Sequence, residues 1–241
     1  MTHIVEAALD YTADEQRYSG LLLKVPDSVP KAAVALLPDW RGQSSLARDH
    51  ANYLVALGCT VAIADLYGDG FNPDSPDQVG SMVKRLIEHR VQGVAGLAAC
   101  IGRLQQEVPA GTPALCLGYS AGGMIALDYG RSGAEIAGII LCSALLKTAA
   151  QGMDTRIRAP VLVLQGTQDQ VSPMETIAAV VTEMDKAGND VRFELYSQTH
   201  HAFDNPEAGT DPNARLVYSP NSARLARQAI ARFLAEVTGR S

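Results

Sequence analysis

The sequence predicts an α/β fold, a mostly parallel sheet with helices packed on both faces. Three observations carry this expectation. Short apolar runs rich in strand-forming residues recur along the chain, segments of helical periodicity separate many of them, and glycine or proline marks the joints. This alternation of strand and helix argues for a mostly parallel sheet covered on both faces.

The strands so expected are residues 21–25, 32–37, 60–64, 114–117, 136–142, 161–164 and 191–196. Helical periodicity is clearest over 46–57, 78–90, 91–108, 121–131 and 174–186. Near the end, Ala226, Ile230, Phe233, Leu234 and Val237 share one helical face while Arg224, Arg227 and Arg232 take the solvated one, which predicts a terminal amphipathic helix. Turns are expected at Gly58, around Gly68 to Pro76, around Gly111 to Pro113, at Gly188, and from Asn205 to Pro212. The stretch from His200 to about Pro220 is the longest without periodicity, as functional or surface-wrapping loops often are.

Composition limits what this fold can be used for. At 241 residues, with 47% hydrophobic and 19% charged residues and 12 prolines, a single globular domain over 1–241 is expected and a disordered or collagen-like chain is excluded. A net charge of −6 and a pI near 5.3 leave no basic field for a phosphate backbone, so nucleic acid is not an expected partner. The N-terminal residues lack a basic leader with an uninterrupted apolar run, and no stretch is apolar enough to span a bilayer. Neither a secretory signal nor a membrane partner is expected. Cys59, Cys100, Cys116 and Cys142 are widely spaced, and the last two lie in apolar runs. They are read as reduced core thiols of a cytoplasmic protein.

The most informative residues are Gly118-Tyr119-Ser120-Ala121-Gly122, between the apolar run 114–117 and the helical segment from Met124. Strand, sharp turn and helix is the context of a nucleophile elbow. Ser120 at its tip adopts a strained backbone, and the flanking glycines let strand and helix approach without side-chain clash. A serine hydroxyl needs a base, and the base needs an orienting carboxylate. Asp169 follows the strand 161–164, and His201 follows the strand ending near Tyr196, so both fall where open α/β sheets place their sites. His200 competes with His201, because adjacent side chains in extended chain point to opposite sides. For the oxyanion, the Ala121 N–H is one expected donor, and the Trp40 N–H, in the loop Pro38-Asp39-Trp40-Arg41-Gly42, is the other.

Here the sequence resembles the dienelactone hydrolase family of α/β-hydrolases, over nearly the whole chain. The resemblance lies in Leu37-Pro-Asp-Trp-Arg-Gly42, Ala64-Asp-Leu-Tyr-Gly-Asp-Gly70, Gly118-Tyr-Ser-Ala-Gly-Gly123, Gln165-Gly-Thr-Gln-Asp169 and His201-Ala-Phe203. It implies an α/β-hydrolase fold without a large lid, and it implies His201 rather than His200 as the base, with Asp169 as its acidic partner. The chain departs from the best-known members in carrying Ser120 where they use cysteine and Asp39 where they use glutamate. Asp39 is then a vestige, a substrate contact or a structural carboxylate.

The expected activity is hydrolysis of a small carboxylic ester or lactone, with Ser120 as nucleophile, His201 as base and Asp169 holding the imidazole. No cofactor is expected, and no metal, because the histidines and cysteines lack ligand spacing. The missing lid insertion and an aromatic content of only 5% predict a short acyl chain. Trp40, Tyr67, Tyr119 and Phe203 are expected near the mouth of the site, Asp39 is a candidate substrate contact, and Arg41 is a candidate for a substrate carboxylate. Two other readings remain open: a peptidase or thioesterase using the same triad, or a binding module whose site is blocked, for instance by a bond between Asp39 and His201.

Overall fold

The structure, a computed structural model, describes residues 3–239; residues 1, 2, 240 and 241 of the expected domain lie outside that description. Its elements run β1 (Val5–Ala13), β2 (Gln16–Lys24), β3 (Ala32–Leu37), α1 (Ser45–Ala56), β4 (Cys59–Ile63), α2 (Pro76–Glu88), α3 (Arg90–Gln105), β5 (Ala114–Tyr119), α4 (Ser120–Arg131), β6 (Gly138–Ala144), β7 (Val161–Gly166), α5 (Met174–Lys186), β8 (Val191–Tyr196) and α6 (Pro220–Thr238).

All eight strands join one sheet in the order β1-β2-β4-β3-β5-β6-β7-β8, with β2 antiparallel to both its neighbours and the later pairs parallel. The central strands β3 to β7 are buried along their whole length, which is why they read as unbroken apolar runs. One face packs against α1 and α6 through Ala51, Leu54, Ile230 and Phe233. The other packs against α2 to α5 through Leu86, Leu97, Met124, Ile177 and Val180.

β1 and the first half of β2 were not expected. They form a hairpin whose turn residues Asp14 and Glu15 have φ of 46° and 66°, so neither glycine nor asparagine signals the reversal. β1 lies at the edge and buries only Leu9 and Tyr11, leaving an alternation too short to stand out. At the other boundaries the structure moves ends by a few residues. β5 continues to Tyr119 and β6 to Ala144, because Gly118 and Tyr119 pair with Leu141 and Cys142. His89, at φ −118° and ψ 46°, breaks the helix between α2 and α3.

The sheet's connections reverse direction between β3 and β5, whose carboxyl ends lie side by side. A crevice opens at such a switch point, and Trp40 and Ser120 border it. The aperiodic stretch after β8 folds back on itself: the Val217 N–H donates to the His201 carbonyl at 3.1 Å, and the Ser219 N–H to that of Phe203 at 3.0 Å. His201 is thereby fixed to the same edge of the sheet.

Candidate active site

Ser120 opens α4 directly after β5 with φ of 46°, a left-handed conformation that a serine adopts only where its surroundings enforce it. The enforcement is visible in the glycines. A Cβ on Gly122 would lie 2.5 Å from the Pro38 carbonyl oxygen and 2.6 Å from that of Leu37, and one on Gly118 would lie 2.6 Å from the Gly122 oxygen. Strand β3, strand β5 and helix α4 therefore meet at backbone contact, and the serine is squeezed outward.

The Ser120 Oγ lies 3.0 Å from His201 Nε2, and His201 Nδ1 lies 2.7 Å from Asp169 Oδ2. An ionised carboxylate only accepts, so Nδ1 carries the proton and Nε2 is left as the acceptor facing the serine hydroxyl. Asp169 is 2% exposed, but its charge is well solvated by donors. Oδ1 accepts the Val171 and Ser172 N–H groups at 2.7 and 2.9 Å, and Oδ2 also accepts from Gln165 Nε2 at 2.7 Å.

Three residues of this network were missed in the sequence. Gln165, on β7, bonds Asp169 and both backbone groups of Ala144. Ser172 closes the same ring by donating to the Ala144 carbonyl and accepting the Leu146 N–H. Ser143, on β6, accepts the Ala202 N–H at 2.8 Å and stands 3.4 Å from His201 Nδ1. Ser143 and Ala202 have φ of 47° and 59°, so left-handed, non-glycine backbone surrounds the imidazole as well as the serine. The available signal was polarity in otherwise apolar strands, at Ser143 after Ile139-Ile-Leu-Cys142 and at Gln165 after Val161-Leu-Val-Leu164.

The expected oxyanion donors both border the crevice. Ala121 is in the first turn of α4, where a helix leaves its N–H groups free, and no side chain caps this end. The Trp40 N–H makes no hydrogen bond among the described residues. Tyr67 donates to the Trp40 carbonyl at 2.8 Å and so braces that loop from behind.

The crevice encloses about 500 Å³, within the range of small-molecule sites. Trp40, Tyr119, Leu145, Val171 and Leu216 supply apolar wall around Ser120 and His201, one side of α2 closes it, and the exposed Lys147 and Arg215 stand on its border. Tyr119 stacks on His50 with ring centroids 4.0 Å apart; burial, followed by the nearby Cys142 and Asp204, holds its phenol well above the usual pKa and hence neutral.

Other expected substrate contacts are placed differently. Phe203 is fully buried, edge-on to Tyr196 at 5.5 Å, and belongs to the core. Tyr67 is buried behind the oxyanion loop rather than at the mouth. Arg41 is held by Asp39 at 2.9 Å and Glu207 at 2.6 Å, two carboxylates on one guanidinium, so it is not free for a substrate anion. Burial opposes the charge on Arg41, but these partners outweigh it and its pKa is raised. Asp39 borders the crevice, yet its oxygens bond the backbone and side chain of Arg41 and leave His201 unblocked. Asp39 thereby orients Arg41, whose bond to Glu207 ties the Trp40 loop to the His201 loop. His200 is neither in the crevice wall nor bonded to Ser120.

No three histidine, cysteine, aspartate or glutamate side chains converge as metal ligands among the described residues. No described helix is long and apolar enough to cross a membrane.

Comparison with known proteins places the fold and the family. A search of curated proteins finds no match. Among solved structures, a protein designated m3DLH is 30% identical, with 97% of this chain and 98% of that chain covered and a TM-score of 0.90. A dienelactone hydrolase-like promiscuous phosphotriesterase from metagenomic libraries is 25% identical over 97% and 98% of the two chains, with a TM-score of 0.89. A putative dienelactone hydrolase from Klebsiella pneumoniae, 19% identical over 97% and 99% with a TM-score of 0.80, shares the fold. The model of the dienelactone hydrolase family matches residues 20–238, and the chain belongs to that family of α/β-hydrolases, enzymes that cleave ester bonds.

Proposed function

We propose that this hydrolase cleaves carboxylic esters or lactones of small molecules through an acyl-enzyme on Ser120. The observation that carries the reading is the continuous relay from the Ser120 Oγ through His201 to Asp169, at 3.0 and 2.7 Å, on a strained elbow. As the Ser120 oxygen attacks the carbonyl carbon, its proton passes to His201 Nε2, and Asp169 stabilises the imidazolium that results. The tetrahedral oxyanion is received by the N–H groups of Ala121 and Trp40, an interaction worth about 3–4 kcal/mol per donor at the transition state. His201 returns the proton to the leaving alcohol. Water then repeats the sequence on the acyl-enzyme and releases the acid.

A fluorophosphonate, which phosphonylates activated serines, tests this directly when the adduct is located by intact mass and peptide mapping. Stoichiometric labelling at Ser120, abolished in folded His201→Ala, is the expected result. Folded wild-type protein that takes up no label would overturn the assignment of Ser120 as nucleophile. A panel of matched oxygen esters, thioesters and peptides then separates esterase from thioesterase or peptidase.

A further inference from the structure

Helix α2 contributes little to the core. Among its described side chains Leu86 is the buried one, with Met82 packed partly beside it. A second apolar stripe, Val79, Val83 and Ile87 at intervals of one helical turn, faces the crevice instead. Ile87 is 37% exposed there. The remaining face carries Asp77, Ser81, Lys84 and Glu88, so the helix is amphipathic toward a space that the chain itself does not fill.

Gly80 lies on the same wall. Unlike Gly118 and Gly122, it is not demanded by close packing, because a Cβ built on it meets nothing within 4 Å. Nor does it have a positive φ. Glycine is unfavourable inside a helix, and here its local effect is to leave room in the crevice. Leu145, Val171 and Leu216, all apolar, line the same crevice.

We propose that α2 is the specificity wall of this enzyme: the stripe Val79, Val83 and Ile87 receives a bulky hydrophobic group, branched or aromatic, on the ester, and the absent side chain at Gly80 sets the width available to it. The proposal rests on the serine-hydrolase reading above. It assigns the substrate class by the chemistry of the wall, which offers an extended apolar surface to the part of the substrate remote from the reacting bond. Such remote contacts raise kcat/KM by holding the carbonyl against Ser120.

The test compares kcat/KM within two matched pairs, vinyl 3-phenylpropanoate against vinyl propanoate and 2-naphthyl acetate against phenyl acetate, for wild type, Gly80→Leu and Ile87→Ser. Each pair differs in an apolar group away from the scissile bond, one on the acyl side and one on the alcohol side. In wild type the bulkier ester of at least one pair is expected to lead by about tenfold or more. That ratio is expected to fall at least fivefold in Gly80→Leu, which fills the space, and in Ile87→Ser, which removes apolar contact, chiefly through KM. Both substitutions fall on exposed positions, and circular dichroism verifies the fold. Ratios near one in the wild type, or ratios unmoved in both folded variants, overturn the proposal. Fluorophosphonate labelling run in parallel separates the two failures: label at Ser120 without a bulk preference removes only the substrate class, whereas no label and no hydrolysis removes the serine-hydrolase reading and this inference with it.

Discussion

Each oxygen of Asp169 has its own set of donors, and that division determines what an amide at this position would do. Oδ1 is committed to the backbone N–H groups of Val171 and Ser172, while Oδ2 receives His201 and Gln165. In Asp169→Asn the carbonyl oxygen keeps the backbone pair, so the NH2 group faces two donors. The imidazole must then turn its unprotonated nitrogen toward residue 169 and present N–H to Ser120, the wrong tautomer for a base. Turnover is expected to fall about 10⁴-fold, measured as kcat on any ester the wild type cleaves. A loss under tenfold would show that Asp169 does not set the tautomer.

At the level of elements, the site depends on how closely three backbones approach. Gly122 on α4 touches the carbonyl oxygens of Leu37 and Pro38 at the end of β3, and these precede Trp40 on the same loop. The contacts are backbone to backbone, so Gly122→Ala cannot be relieved by a side-chain rotation. It is expected to destabilise the fold by about 1–3 kcal/mol or more and to separate the two oxyanion donors. Thermal unfolding and kcat on the residual folded protein check both effects. Gly80→Ala serves as the contrast: at an open helical position it is expected to raise stability by about 0.5–1 kcal/mol.

Over the whole molecule, a buried charge network joins α3, α4 and α5 to the segment after β6. Asp128 and Arg131 are almost fully buried and pair at 2.9 Å, Arg90 Nη2 reaches Asp128 at 2.6 Å, and Arg131 also pairs with Glu183. Arg131 and Glu183 in turn bond the Lys147 carbonyl and the Ala149 N–H, which hold the chain beside the crevice. Asp128→Ala leaves Arg131 buried with less compensation and is expected to cost about 3–5 kcal/mol, read as a fall in Tm of roughly 10 °C. The buried thiols make a second whole-molecule prediction. Burial pushes Cys59 and Cys100 up to about 12 and raises Cys116 and Cys142 as well. Native protein at pH 8 should therefore resist iodoacetamide at all four, and unfolded protein should react at all four. Because the folded pKa values are raised, the unfolded chain loses these protons first, so stability contributed by the neutral thiols is full below about pH 9 and declines above it. A Tm that stays level from pH 8 to 10 would contradict that linkage.

The elbow and the strand and helix alternation were legible in the sequence because they are local. A left-handed serine between two glycines is specified within five residues, and helix and strand periods repeat within a turn or a pleat. The order of Ser120, Asp169 and His201 could likewise be read from strand ends. The hairpin of β1 was not legible, since its turn lacks glycine and its strand shows only two buried side chains. Tertiary structure alone decided the orientation of each loop side chain. It put Phe203 into the core, set Tyr67 behind Trp40, neutralised Arg41 with a carboxylate from a distant loop, and joined Ser143, Gln165 and Ser172 around the His201–Asp169 pair. These outcomes depend on which segments meet, and sequence periodicity shows only which face of a segment is apolar, not what will pack against it.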